Sequence, residues 1–266
     1  MRLTIRHTTR YSFADPVTYG LQQLRKTPKS GHGQEVIRWN TTLSGGKKEL
    51  EYHDHMNNAV ELISFDKDVT EVTVRSEGEV EVSDTNGIIG AHRGPAPLWL
   101  FETVTPLTKP GPGVRALIKQ VEGESSVGKL HDLSRVISET VAYEVGTSQS
   151  ETRAEDAIAE GKGVCQDHAH IFIAAAREMG FPARYVSGYL MMDDRIEQDA
   201  THAWAEAHVD GLGWVGFDVS NQICPDTRYV RVATGLDYQG AAPVTGTRYG
   251  GAGETLSVAI EVAQQQ

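Results

Sequence analysis

Cys165 stands in Gly163-Val164-Cys165-Gln166-Asp167-His168. Downstream follow His202, in Thr201-His202-Ala203-Trp204, and Asp218, in Gly213-Trp214-Val215-Gly216-Phe217-Asp218. A thiol, an imidazole and a carboxylate are the parts of a thiol nucleophile with its base and orienting acid. A free thiol has a pKa of about 8.5, so at neutral pH it needs a base or a positive field to become the attacking thiolate. His202 is the candidate base, and Asp218 the carboxylate that fixes its tautomer and ring orientation.

Two elements must bring these groups together. From Val164 to Gly180 the residues favour helix, with Ile171, Phe172, Ala175 and Met179 at helical spacing, and Gly161 and Gly163 break the chain just before it. Cys165 therefore falls in the first helical turn, where unpaired N–H groups and the positive end of the macrodipole favour an anion. Gly180 caps the far end and Pro182 prevents extension. Ala203–Val209 reads as a strand ending at Asp210-Gly211, and Trp214–Val219 as its hairpin partner, which puts His202 and Asp218 near the open end.

These blocks carry a resemblance. The stretch from about 151 to 221 resembles the core of the transglutaminase-like superfamily, in the bacterial branch labelled as candidate cysteine proteases. The matching residues are Gly161 through His170, Arg177 through Tyr189, His202-Ala203-Trp204 and Gly213 through Asp218. The resemblance implies a papain-like fold with Cys165 as nucleophile, His202 as general base and acid, and Asp218 as orienting carboxylate. Residues 1 to about 82 are similar to the β-rich N-terminal module of that branch. One departure is His168, where branch members often carry an aromatic residue.

Organisation along the chain follows. Residues 1–82 read as an antiparallel, sandwich-like β module, with Leu3–His7, Val69–Arg75 and Glu79–Val82 alternating in polarity and Ser44–Lys48 as a hairpin loop. Residues 83–113 form a Pro- and Gly-rich connector, within which Leu98–Phe101 is too apolar to dangle and is expected to dock. Residues 114–266 form the catalytic core. It has helices at Val114–Val121 and Lys129–Val141, then the Cys165 helix, the strands Ala183–Leu190, His202–Val209 and Trp214–Val219, and a last strand near 254–262. The fold class is α+β, helices against an antiparallel sheet.

Composition sets limits. With 36 acidic and 25 basic residues the 266-residue chain carries a formal charge of −11, which argues against non-specific nucleic-acid or membrane binding. The N-terminus alternates rather than forming an apolar signal core, and no stretch reaches the roughly 20 apolar residues that span a bilayer. A cytoplasmic location is the default expectation, and two cysteines suit a reducing compartment.

Each assignment has a plainer rival. A Cys165–Cys224 disulfide would consume the nucleophile. His168 and His170 suggest zinc, but positions i and i+2 of a helix point to different sides, so no metal or other cofactor is expected. Asp193, Asp194, Glu197 and Asp199 lack the spacing of a calcium loop and read as a solvated hairpin tip. Arg177 and Arg184 read as structural. Trp204 and Trp214 either wall a substrate channel or fill the core. The expected chemistry is attack on a peptide or carboxamide carbonyl to give a thioester, with the Cys165 N–H as an oxyanion donor. Hydrolysis is favoured; the alternatives are acyl transfer to an amine and a non-catalytic peptide-binding module. The expected partner is a peptide or protein substrate.

Overall fold

The computed structural model describes residues 1–265. In chain order the first module comprises β1 (Arg2–Thr27), β2 (Gln34–Ser44), β3 (Gly46–His53), β4 (Ala59–Phe65) and β5 (Val69–Val82). The connector holds β6 (Ile88–Gly90) and a 3-10 turn at Leu98–Glu102. The core then runs α1 (Pro112–Ile118), α2 (Ser126–Thr140), β7 (Ala142–Tyr143), α3 (Ala154–Glu160), β8 (Lys162–Gly163), α4 (Cys165–Glu178) and β9 (Ala183–Leu190). It continues with β10 (Glu197–Gln198), β11 (His202–Val209), β12 (Gly213–Phe217), β13 (Tyr229–Gly235) and α5 (Tyr238–Ala241), and the chain closes with β14 (Val244–Gly250) and β15 (Thr255–Gln264). This is the expected α+β class.

The first module is a sandwich whose two layers share β1. Its first half lies between β5 and β15, and its second half between β4 and β14, all antiparallel. The ladder with β5 is interrupted between Ser12 and Val17, where Pro16 has no N–H to donate. Tyr11, Phe13, Leu24, Ile63, Phe65, Val72 and Val74 fill the space between the layers. The turn at Ser44–Gly46 is tighter than the expected loop, so Lys47 and Lys48 already belong to β3. The last two strands return to β1, so the core drawn from the sequence as 114–266 gives up residues 244–264 to the first module. Alternation marks them as strands but carries no information about which edge they pair with.

The core sheet has the order β13-β9-β11-β12-β6, all antiparallel, the edge strand β6 coming from the connector. Helix α4 packs across β11 and is surrounded by α1, α2 and α3, so Ile171 through Ala176 are fully buried. Small side chains at Ala203, Ala205 and Ala207 let the helix approach the strand closely. Gly180, at φ 84°, ends the helix: its N–H bonds the Arg177 carbonyl and the Phe181 N–H bonds the Ala176 carbonyl, a Schellman arrangement.

Buried polar contacts hold the parts together. Arg177 donates to the carbonyls of Phe101, Ala183 and Leu236 and to the Thr108 hydroxyl, which ties the connector to the end of α4. Phe101 docks as expected, while Trp99 stays 67% exposed. Gln34 bonds both backbone groups of Arg231, and Asn58 both of Thr234, so two side-chain amides of the first module cover the edge of β13. A further buried chain links Lys26 to Thr9, Thr9 to His7 and His7 to Tyr189 of β9.

Candidate active site

Cys165 is the first residue of α4, and the local sequence prepares that position. Asp167, in the first turn, accepts the Val164 N–H at 2.7 Å, the acidic half of a capping box. A Cβ on Gly163 would lie 2.8 Å from the Asp167 side chain, so glycine is what lets this carboxylate fold back. Asp167 is 1% exposed, and burial raises its pKa. Gly163 also pairs with Tyr143 in the short parallel bridge β7–β8, which seats Tyr143 beside the start of the helix.

His202 begins β11, opposite Gly188 of β9. The β11–β12 ladder ends at Ala205–Phe217, and Asp218 then leaves it to bridge Ile223. That departure brings the Asp218 carboxylate to His202, whose Nε2 lies 2.6 Å from Oδ2. The same oxygen accepts from the Tyr229 hydroxyl at 2.7 Å and the Asn221 amide at 2.7 Å. Burial opposes charge on Asp218, but His202, Asn221 and Tyr229 outweigh it and hold the carboxyl below its ordinary pKa.

With Nε2 taken by Asp218, Nδ1 is the ring nitrogen left for a thiol. Burial would lower the pKa of His202; the Cys165 sulfur, through charge and hydrogen bonding, and Asp218 reverse this and raise it to about 10. A buried imidazole between two acids favours the imidazolium. Cys165 and Cys224 are both free thiols, so no disulfide competes for the sulfur.

A cleft of about 500 Å³ opens at His202, walled by Tyr143, Leu190, Met191, Asn221 and Tyr229. Its rim is charged: Asp193 meets Arg228 at 3.4 Å and Asp194 meets Arg195 at 3.5 Å, the two carboxylates 79% and 72% exposed.

The other sequence candidates are placed as follows. Trp204 stacks on the His202 ring, with centroids 6.1 Å apart, and meets Tyr229 edge-on. Trp214 lies apart, against Phe101, His92 and Arg184, in a separate apolar cluster. His168 is held by Ser220 and the Val141 carbonyl, at 2.9 Å each, and so anchors α4 to the chain on both sides of it. His170 accepts the Tyr238 N–H through Nε2, and burial pushes its pKa down to about 4. Among the described residues no three His, Cys, Asp or Glu side chains gather as metal ligands. Sequence reasoning missed Tyr229 and Asn221 as supports of Asp218. Asn221, three residues on, lay within reach of a turn argument, whereas nothing local marks Tyr229.

Comparison with known proteins matches residues 115–219 to the transglutaminase-like superfamily and residues 3–81 to the bacterial transglutaminase-like N-terminal region. An uncharacterized protein of Mycobacterium leprae is 28% identical over 278 residues, covering 99% of each chain. One of Mycobacterium tuberculosis is 27% identical over 277 residues, covering 93% of this chain and 88% of its own. Among solved structures, a protein of Cytophaga hutchinsonii described as a candidate cysteine protease shares the fold. Its TM-score is 0.80 at 20% identity, over 99% of this chain and 90% of that one.

Proposed function

The chain belongs to the transglutaminase-like superfamily, with the bacterial N-terminal region ahead of its core, and from that premise we propose that it is a cysteine hydrolase of peptide or carboxamide bonds. The observation that carries this reading is a buried imidazole bonded to Asp218 through Nε2, on the strand that packs against the helix begun by Cys165.

In the proposed reaction the Cys165 thiolate attacks the carbonyl carbon, forming a C–S bond and a tetrahedral oxyanion. The Cys165 backbone N–H, at the first position of α4 where no helical carbonyl precedes it, is the donor best placed for that charge. Collapse breaks the C–N bond as His202 gives its proton to the leaving amine or ammonia. Water then attacks the thioester, losing its proton to His202, and the carboxylic acid departs as the thiol is restored. Asp218 stays ionised and stabilises the imidazolium. A hydrated, charged rim around the cleft favours water over an amine as acceptor, since acyl transfer needs water kept out.

The test is intact-mass spectrometry of wild type and Cys165→Ala after incubation with Gln- and Asn-containing peptides, with and without a primary amine. Hydrolysed or deamidated peptides with wild type alone are the expected result. Amine adducts in place of acids would move the reaction to acyl transfer. Equal turnover by Cys165→Ala would overturn the nucleophile.

A further inference from the structure

A second cavity, of about 520 Å³, lies where the first module, the connector and the core sheet meet. It is distinct from the cleft at His202, although Tyr229 borders both. Its walls include Lys29, Arg93, Arg184 and Arg231, together with Trp204 and Trp214. Three modules therefore supply four cations to one concave surface, in a chain whose formal charge is −11.

The acids nearby do not balance them. Glu206, fully buried, is shared by two guanidiniums: Arg184 at 2.6 Å and Arg231 at 2.7 Å. Asp226 is committed to Arg228, with contacts of 2.7 to 3.1 Å. Lys29 and Arg93 make no ion pair among the described residues. The half-buried Lys29 ammonium has its pKa lowered to about 8, by burial first and then by the like charge of Arg231, which outweigh the opposing pull of Asp54, an acid already paired with Arg25. Positive charge is thus held against its own repulsion, which a bound anion would relieve. The Arg184 guanidinium lies 3.8 Å over the Trp214 ring and covers it, so the apolar contact for whatever body carries the anion comes from the partly exposed Ile89.

We propose that this cavity binds a small organic oxyanion, a carboxylate or phosphate group on an apolar body, with the charged group on Lys29, Arg93 and Arg231 and the body against Ile89. The site stands independently of the thiol chemistry, because none of its cations touches Cys165 or His202.

Isothermal titration calorimetry at pH 7 with hexanoate and with hexyl phosphate, and with hexylammonium as the charge-reversed control, tests it. We expect at least one anion to bind, no binding of hexylammonium, and at least a tenfold loss of affinity in Lys29→Gln/Arg93→Gln. The tighter of the two anions identifies the charged group. Among the described residues neither substituted side chain donates a hydrogen bond, so the double variant should melt with wild type, and Lys29→Arg should retain binding. No heat from either anion, unchanged affinity in the double variant, or binding of hexylammonium as tight as that of the anions would overturn the proposal.

Discussion

At the residue scale, the candidate site depends on how one carboxylate oxygen is supported. Asp218 Oδ2 accepts from His202, Tyr229 and Asn221 together. Tyr229 is a positioning residue, acting on the imidazole through its hydrogen bond to Asp218 and through ring contact at 5.9 Å. A hydrogen bond to an ionised group is worth about 1.5–3 kcal/mol, so Tyr229→Phe should lower kcat/KM by about ten- to a hundredfold. Losing a donor raises the pKa of Asp218, so the acid limb of the Cys165 alkylation profile should move to higher pH. Iodoacetamide rates across pH 3 to 9 measure this, and an unmoved limb would reduce Tyr229 to packing. Cys165, His202 and Asp218 could be singled out because each stands in a recognisable block, and Cys165 is one of two cysteines. Tyr229 was not, because its role comes from β13 lying beside β9, a pairing that no local pattern encodes.

At the element scale, α4 and the β11–β12 hairpin were legible from helical spacing, glycine stops and an Asp-Gly turn. The polar residues within α4 were harder to read. Asp167, His168 and His170 are all buried, because the helix is enclosed on every side; each side chain finds a partner, although Asp167 Oδ1 and His170 Nδ1 have none among the described residues. The start of α4 is its most exacting point. Gly163→Ala places a methyl group against Asp167, and the carboxylate must release the Val164 N–H or the backbone must shift. Loss of such a cap costs about 1 kcal/mol. The expected outcome is a modest drop in melting temperature with a larger fall in Cys165 alkylation rate at pH 6, as the first turn no longer holds the sulfur against His202. Wild-type alkylation in this variant would show that the cap does not position the thiol.

At the scale of the whole molecule, the two modules share buried chemistry as well as surface. Lys26, 1% exposed, begins the chain through Thr9 and His7 to Tyr189, and burial lowers its pKa to about 7. Below pH 7 the ammonium is charged in both folded and unfolded chains, and its burial penalty is felt in full. Between about 7 and 10.5 the unfolded chain binds the extra proton, so the penalty fades as pH rises. Lys26→Met should therefore stabilise the protein by about 2 kcal/mol at pH 6, with a gain that shrinks toward pH 10. Urea titrations at both pH values decide it, and a pH-independent difference would show that Lys26 is not the titrating group. The same long-range character appears in β1, where Leu3 pairs with Val80 on one side and Gln264 on the other. The ribosome delivers β1 early and β15 last, so for most of synthesis one edge of the founding strand stands open. The module translated first is thus completed only after the core has been made, and until β15 arrives the unpaired edge of β1 has to stay clear of other strands.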